Sequence, residues 1–437
     1  MLSQIIFTVI LIAAVALFTA NVRKISRNIN IGKPLERNDQ PGRRWSTMLL
    51  VAIGQSKMVK RPLAGIMHVL VYAGFIIINI EVLEILIDGI TGKDRVFSFF
   101  GHFYIFLISS FEILAVGVML GCATFLVRRN IGKLRRFWSK EMTAWPRTDA
   151  NIILITEILL MSAFLILDAS DTAFRQRFPQ SPLSEGFPVS NLFIGIFKTA
   201  SPMMLIFINR FCWWFHIIGI LAFLNYIPYS KHFHIVLSFP NVYYSNLKPK
   251  GEFTNPASVT REIKLMLDPA AAPVENSPTA PERFGAKDVF DLTWKQLMDA
   301  YSCTECGRCT SSCPANQTGK LLSPRKIMMD TRDRLEQVGR NIDKNGKFAD
   351  DGKALLNDYI TPEEIWACTS CNACTEECPV DIDPLSIIIE MRRYLVMEQS
   401  AAPQALAQMC SNIENNGAPW QFPASDRLNW VSALNTV

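Results

Sequence analysis

The pattern of apolar and polar positions divides the chain near residue 240. Before that point five segments are apolar for long enough to cross a bilayer, which takes about 20 residues. They lie at 5–22, 63–87, 99–127, 152–167 and 192–227. The first has no basic residue ahead of it, and Arg23, Lys24 and Arg27 follow it, which suits an uncleaved span rather than a signal peptide. Segment 45–58 is apolar but too short to span and reads as an interfacial helix. Beyond 240 the long apolar runs stop. The run LDPAAAPVENSPTAPERFG, inside a linker assigned to 241–290, has no periodicity and is rich in Pro and Ala, so it reads as extended or mobile. A helical soluble domain is expected over 291–400, followed by a tail at 401–437.

Charge orients the spans. The loop after the first span carries ten Lys or Arg residues between Arg23 and Arg61, and the loop after the third carries seven between Arg128 and Arg147. The other two loops carry few. The positive-inside rule then puts the N-terminus outside and everything after the fifth span in the cytoplasm, as a multi-pass protein of the inner (cytoplasmic) membrane. Composition agrees with a mixed chain: 49% of residues are hydrophobic and the mean hydropathy is +0.18. The net charge of +5 is mild and its basic residues are localised in loops, so no nucleic-acid partner is expected.

Of the 11 cysteines, eight fall in two clusters, which points to metal sites rather than a disulfide framework. The first repeat reads DLTWKQLMDAYSCTECGRCTSSCP and the second YITPEEIWACTSCNACTEECP. Each opens with a capping box, Thr293 with Gln296 and Thr361 with Glu364, and each is followed by a second helix starting at Ser323-Pro324 or Asp383-Pro384. Each carries C-x2-C-x2-C-x3-C-P. Three cysteines at i, i+3 and i+6 can grip three corners of one cubane, while the fourth, followed by proline, ligates the other cluster. One 4Fe–4S cluster is then expected on Cys303, Cys306, Cys309 and Cys378, and a second on Cys368, Cys371, Cys374 and Cys313. Zinc, the competing reading, is usually met by two separated cysteine pairs rather than two four-cysteine runs. The expected fold is therefore all-α: a five-span transmembrane bundle followed by a cytoplasmic dicluster ferredoxin domain.

The runs CTECGRCTSSCPANQTGK and CTSCNACTEECPVDIDP, with the helices between them, resemble the small iron–sulfur subunit of heterodisulfide reductases and related respiratory oxidoreductases. The resemblance covers roughly 290–400 and implies a two-cluster helical ferredoxin.

The chain has only five histidines: His68, His102, His216, His232 and His234. An ionisable residue within a span is a functional candidate by default. His216 and His234 are 18 residues apart, which on one continuous helix puts both on one side, about 27 Å apart. That arrangement could offer one ligand to each of two stacked b haems. His68, at the cytoplasmic end of the second span, would pair with His234. His232 points away from that face and is expected at lipid headgroups or the linker.

H-x11-P-x5-H in the fifth span, the PYSKHFH ending, GIMHVLVYAGF in the second span and the five-span layout are similar to the haem b membrane subunit of respiratory nitrate reductases. That resemblance covers about 1–240 and implies haem b and a quinone, menaquinone by analogy. The family places a second histidine ten residues after the first in span two; here that position is Ile78. The distal haem therefore lacks a ligand. His102 could replace it opposite His216, or there is a single haem, or His68 pairs with His216.

Arg210 is assigned either to a haem propionate or to an ion pair with a span acid such as Glu112, and Glu112 itself to proton relay at a quinone site. Glu157 is expected to reach the interface, Cys122 and Cys212 to be small apolar residues, and 332–353 to be a solvated face. No Rossmann glycine pattern or flavin motif is present, so hydride chemistry belongs to a partner. The leading function is a membrane-bound respiratory subunit passing electrons between a cytoplasmic partner and the quinone pool through two 4Fe–4S clusters and haem b. The alternative is a non-haem membrane anchor for a ferredoxin module. A redox-driven transporter finds no inverted repeat to support it. An electron-transfer flavoprotein is one candidate donor among several. The aromatic tail NIENNGAPWQFPASDRLNWV cannot form a core of its own and is expected to dock a separate iron–sulfur subunit of the paired-cysteine CCG type.

Overall fold

In a computed structural model the described residues are 1–178, 186–268 and 283–434. Among them the chain is helical with no named strand. The spans are α1 (Leu2–Ile29), α3 (Pro62–Thr91), α4 (His102–Leu126, extended to Ile131 by a π turn), α5 (Ala144–Arg177) and α7 (Pro202–Tyr226). Among the described residues these are the five helices long and apolar enough to cross a membrane. Their ends follow local chemistry. Pro62 and Pro202 occupy first-turn positions where no N–H is needed. Ser201 caps α7 by accepting the Met204 N–H at 3.2 Å. Gly92, at φ 73°, closes α3 in the left-handed region.

The fifth span differs from the sequence expectation at both ends. A short helix, α6 (Ser190–Phe193), and a 3-10 turn over Ile194–Phe197 precede α7, which starts only at the Ser201–Pro202 cap. At the C-terminal end Pro228 breaks the helix. Two 3-10 turns, Ile227–Tyr229 and Lys231–Phe233, lead into α8 (His234–Tyr243). His216 and His234 therefore do not share a continuous helix, and the 18-residue spacing argument does not apply.

The loop between α1 and α3 holds α2 (Pro41–Met48), continued by a π turn to Ile53. Trp45, Leu49 and Leu50 are exposed on it, as an interfacial helix requires. Most of the Pro/Ala-rich run lies outside the described residues, but the assigned linker also contains α9 (Ala257–Leu267), and the folded domain begins by Ala286 and Val289, both fully buried.

The soluble part is a set of helices in two similar halves. The first is α10 (Trp294–Ser302), α11 (Arg308–Ser311), α12 (Pro314–Gln317) and α13 (Pro324–Asn345). After the kinked turn α14 (Leu355–Asp358) comes the second, α15 (Pro362–Trp366), α16 (Ala373–Glu377) and α17 (Pro384–Arg393). Both expected capping boxes are formed. The domain is seated on the end of the bundle formed by the last turns of α1 and α7 and the first turns of α5. One hydrophobic core runs from Ile25, Ile153, Phe223 and Phe233 into Leu297, Ile327, Leu355 and Ile388. Just beyond α1, Lys33 pairs with the domain backbone: its N–H donates to Leu292 O at 2.7 Å and its carbonyl accepts from Trp294 N–H at 3.1 Å. Gly32 is what permits this, since a Cβ there would lie 2.6 Å from Trp294 N.

Segment 332–353 is a solvated face only in part: residues 343–347 are exposed, while Arg334, Leu335 and Val338 are buried. Arg334 is fully buried and bridges Asp288 at 2.8 Å and Asp351 at 2.6 Å. Cys122 and Cys212 are buried in the spans.

Candidate functional site

The two cysteine loops repeat one backbone path. Cys303 is the C-cap of α10, and the next residues turn sharply: Glu305 and Gly307 take φ 56° and 71°. In the second loop Ser370 and Asn372 stand at the matching offsets with φ 56° and 59°. Two left-handed residues per loop turn the chain back on itself, a conformation that Gly307 and Asn372 adopt at little cost. At Gly307 there is a second reason for glycine, because a Cβ would lie 2.6 Å from an Arg325 side-chain nitrogen.

The fourth cysteine of each run is carried away from its own loop. Cys313 begins α12 and Cys378 ends α16, each held by the following proline. A cavity of about 20 Å³ is lined by Cys303, Cys306 and Cys309 together with Cys378 and Cys374. Cys378 lies in the field of Cys306 and Cys303, and Cys368 in that of Cys313 and Cys371. The structure thus brings Cys378 to the first loop and Cys313 to the second. Burial pushes the Cys303 thiol up to about 11 and that of Cys374 up to about 12. These are sites where a thiolate needs a bound cation to exist, which fits ligands of an iron cluster. Cys371 is exposed, so the second loop faces the protein surface.

Arginines surround the first loop. Arg325, fully buried, donates to the carbonyls of Arg136 and Glu305 and reaches Glu141 at 2.7 Å. Arg308 donates to the carbonyls of Lys57 and Met58 in the loop before α3. Lys57 in turn pairs with Asp381 at 2.5 Å, and Arg61 with Glu377 at 2.8 Å. The basic loops after α1 and α4 are thus the surface that grips the acidic edge of the cluster domain.

Below this joint the histidines are found. His68 lies in the electrostatic reach of His234 and of Arg308. His232 lies in that of His234 and His68, with its ring 5.5 Å from that of His234. Three of the five histidines therefore gather at the end of the bundle that carries the cluster domain. The His234 Nδ1 faces the Lys231 carbonyl at 3.1 Å, leaving Nε2 for a metal. His68 Nδ1 and His232 Nε2 are buried with no hydrogen-bond partner among the described residues. His232 packs between the rings of Phe223 and His234, at 5.4 and 5.5 Å, and burial, with His234 and His68 nearby, holds its imidazole down at about 3.

His216 is buried in α7. Its Nδ1 faces the Leu160 carbonyl at 3.0 Å, and it lines a cavity of about 70 Å³ with Gly74, Ile78 and Glu157. Glu157 turns into the bundle rather than to the interface. His102 does not join His216. It is exposed at the outer start of α4, whereas His216 is 14 residues inside α7, about 20 Å deeper. Arg210 is exposed and lines an outer cavity. It does not pair with Glu112, which accepts the Val189 N–H at 2.8 Å and that of Ser190 at 3.2 Å.

Sequence reasoning missed two charge groups. One is Lys231, whose Nζ donates to Glu305 and to the Pro146 carbonyl. The other is the outer set Glu81, Glu84, Asp168 and Arg95, buried or nearly so. The signal was present: acids inside apolar spans are functional candidates.

Residues 299–382 match the family model of the 4Fe–4S dicluster domain. The C-terminal half holds a 4Fe–4S dicluster domain. The chain carrying it is 27% identical to the probable iron–sulfur-binding oxidoreductase FadF of Bacillus subtilis, over 98% of this chain and 60% of that protein. It is 26% identical to the EtfAB:quinone oxidoreductase of Syntrophomonas wolfei, over 91% of this chain and 55% of that protein. The dicluster region is 33% identical to one polypeptide of the ferredoxin/F(420)H(2)-dependent CoB-CoM heterodisulfide reductase of Methanosarcina acetivorans, over 27% of this chain and 60% of that one. The chain therefore spans less than two thirds of the length of these relatives. No solved structure matches it. These relatives point to iron–sulfur electron transfer, and here the dicluster domain sits on five helices long and apolar enough to cross a membrane.

Proposed function

We propose that this chain carries electrons between a cytoplasmic flavoprotein of the EtfAB kind and the membrane quinone pool. The observation that carries the reading is the seating of the first cysteine loop on the histidine end of the bundle, through Lys231 and Glu305. Two 4Fe–4S clusters and a haem b, when bound, supply one-electron carriers. The residues fit them. Cys303, Cys306, Cys309 and Cys378 would hold the cluster next to the membrane, and Cys368, Cys371, Cys374 and Cys313 the cluster next to solvent. His68 and His234 would hold the haem.

The chain's own residues set the direction of the path. Cys371, on the exposed face, puts one end within reach of a soluble donor. The arginines around Cys306 and Cys309 favour the reduced, more negative state at the membrane side. The backbone carbonyl of Lys231 fixes the His234 ring, while its ammonium anchors the loop between Cys303 and Cys306. The quinone comes from the name of the Syntrophomonas wolfei relative and, as menaquinone, from the nitrate-reductase resemblance. An N-terminus outside and a dicluster domain in the cytoplasm follow from the basic loops.

The reading competes with an anchor that holds no haem. A visible spectrum of the purified, reduced protein separates them, because low-spin haem b gives sharp α and β bands. Their absence, with both clusters present, would leave the anchor.

A further inference from the structure

At the outer end of the bundle a cavity of about 850 Å³ opens between α1, α3, α5 and α7. Its walls follow helical spacing. Glu81, Glu84 and Asp88 lie at i, i+3 and i+7 of α3, and Asp168, Asp171 and Arg175 repeat that spacing on α5. Most of these charges are matched. Glu84 accepts the Phe97 N–H at 2.7 Å and the Tyr104 hydroxyl at 2.9 Å. Asp88 accepts the backbone N–H groups of Arg95 and Val96. Asp171 holds Arg95 and Arg175, each at 2.9 Å.

Two acids keep an oxygen to spare: Asp168 meets Arg95 at 3.3 Å through Oδ1 alone, and Glu81 has no such ion pair among the described residues. Glu81 is 9% exposed and Asp168 2%. Glu81 Oε2 and Asp168 Oδ2 are buried without any hydrogen-bond partner, and the two side chains interact electrostatically. Buried acceptors without a donor are costly, so the site calls for a donor from outside the chain. Among the described residues no three His, Cys, Asp or Glu side chains are placed to share a metal ion, which leaves a hydroxyl-bearing ligand or protons.

The cavity also has an aromatic wall. Trp213 and Trp214 meet edge to face at 5.1 Å, and Phe7 packs on both at 5.6 and 6.4 Å. Trp213 is one turn outward of His216 on α7, so this wall ends where the inner cavity of Glu157 and His216 begins. A flat aromatic head with two oxygens fits such a space, its ring on the indoles and its oxygens toward the two carboxyls.

We propose that this outer cavity binds the head group of a quinone, with Glu81 and Asp168 exchanging its protons; the proposal rests on the electron-transfer reading above. The step balances as quinone plus two electrons plus two protons giving quinol. The electrons arrive singly from the chain's bound carriers. The protons pass from Glu81 and Asp168 to the two quinone oxygens, and the carboxyls refill from the outer water through the mouth lined by Asp94 and Arg175.

The test uses the whole protein, purified with its cofactors and reduced with dithionite. The reduced protein is mixed anaerobically with 2,3-dimethyl-1,4-naphthoquinone, and reoxidation is followed by absorbance. The wild type should reoxidise. Glu81→Gln should do so at least tenfold more slowly, and its rate should lose the pH dependence seen in the wild type. Trp214→Leu should raise the quinone concentration for half-maximal rate at least tenfold. Iron content, cluster EPR and reoxidation by ferricyanide should match the wild type in both variants. Wild-type behaviour of both variants toward the naphthoquinone would overturn the site while leaving the electron-transfer reading standing. Equal slowing with ferricyanide would show general damage and overturn the site as well. A wild type that ferricyanide reoxidises and the naphthoquinone does not would overturn the quinone reading itself, and the site with it.

Discussion

Lys231 donates to Glu305, and through that contact the residue three before His234 touches the residue between Cys303 and Cys306. Both side chains are more than nine-tenths buried. Arg332 closes the group, reaching Glu305 at 2.7 Å. A single buried carboxylate is thus held by one cation from the membrane half and one from the soluble half.

Breaking this joint has a calculable cost. Removing one partner of a buried pair leaves an uncompensated charge, worth roughly 3–5 kcal/mol. Lys231→Met should lower the stability of the domain seating by about that order, with Arg332 retaining part of it. Glu305→Gln in the same background should recover some of the loss, because the stranded charge is then gone. Thermal unfolding of the two single variants and the double variant measures this. An additive result would show that the two residues do not act as a pair.

The same carboxylate gives a pH dependence. Burial acts to raise the Glu305 carboxyl, but Arg332 and Lys231 outweigh it and hold it below its usual 4.5. A lowered folded value means that the stabilisation is complete above about 4.5 and is lost as pH falls through the lowered value. Protection of the Lys231 region from amide exchange should therefore fall as the protein is acidified below about pH 4.5, and the Glu305→Gln variant should not show this loss. Protection that does not change over that range would remove Glu305 from the account.

Cluster ligation makes a separate prediction. Cys378 lies with the first loop although it belongs to the second run. Cys378→Ala should alter the same EPR signal as Cys306→Ala, and Cys313→Ala the same signal as Cys371→Ala. If Cys378→Ala and Cys371→Ala abolish one common signal, each run serves its own cluster. Cys374 lines the first cavity as well, so its variant decides between the two clusters for that residue.

The histidines should divide by position. His68→Ala and His234→Ala should each remove the same haem, seen as loss of one component in a potentiometric titration of haem absorbance. His102→Ala should remove none, since it stands exposed at the outer end of α4. His232→Gln should keep the haem and shift its potential, because His232 packs beside His234 without being placed as its partner. Loss of different haems in the first two variants would refute the pairing.

How much of this is legible in sequence depends on how local each signal is. The spans, the capping boxes of Thr293 and Thr361 and the cysteine spacing are written within a few residues, and the helices they specify are formed. The break at Pro228 is also a local signal, yet the 18-residue spacing of His216 and His234 is meaningful only on a helix that runs through it unbroken. The burial of Arg334 is not legible, because its partners Asp288 and Asp351 come from two other segments. Glu81 and Asp168 are visible as acids in apolar helices. Their common placement requires α3 and α5 to line one cavity, which no local pattern specifies.

The tail supplies the last prediction. Past the Gly417 cap of α18 (Gln404–Asn416) the described chain exposes Trp420, Phe422, Leu428 and Trp430, each by more than 60%. Arg427 donates to the carbonyls of Asn416 and Gly417, so the segment folds back on its own helix without covering these rings. Four large apolar side chains on so short a stretch can be buried only against something else, and each contributes about 1.5–3 kcal/mol when it is. The relatives from Bacillus subtilis and Syntrophomonas wolfei run well beyond the matched region, so further polypeptide accompanies this architecture in them. A partner carrying paired-cysteine CCG motifs and docking on Trp420, Phe422 and Trp430 would extend the electron path from the Cys371 side toward the flavoprotein. Changing those three aromatics to Ser should leave both cluster signals and the membrane association intact, since none of them enters a core. It should weaken capture of the partner by at least a hundredfold, because two lost anchors alone are worth about 3–6 kcal/mol. Co-purification from membranes, with each captured chain identified, measures this. Undiminished recovery of a CCG-type chain by the triple variant would place its contact elsewhere, and recovery of no such chain by the wild type would end the idea of a separate partner polypeptide.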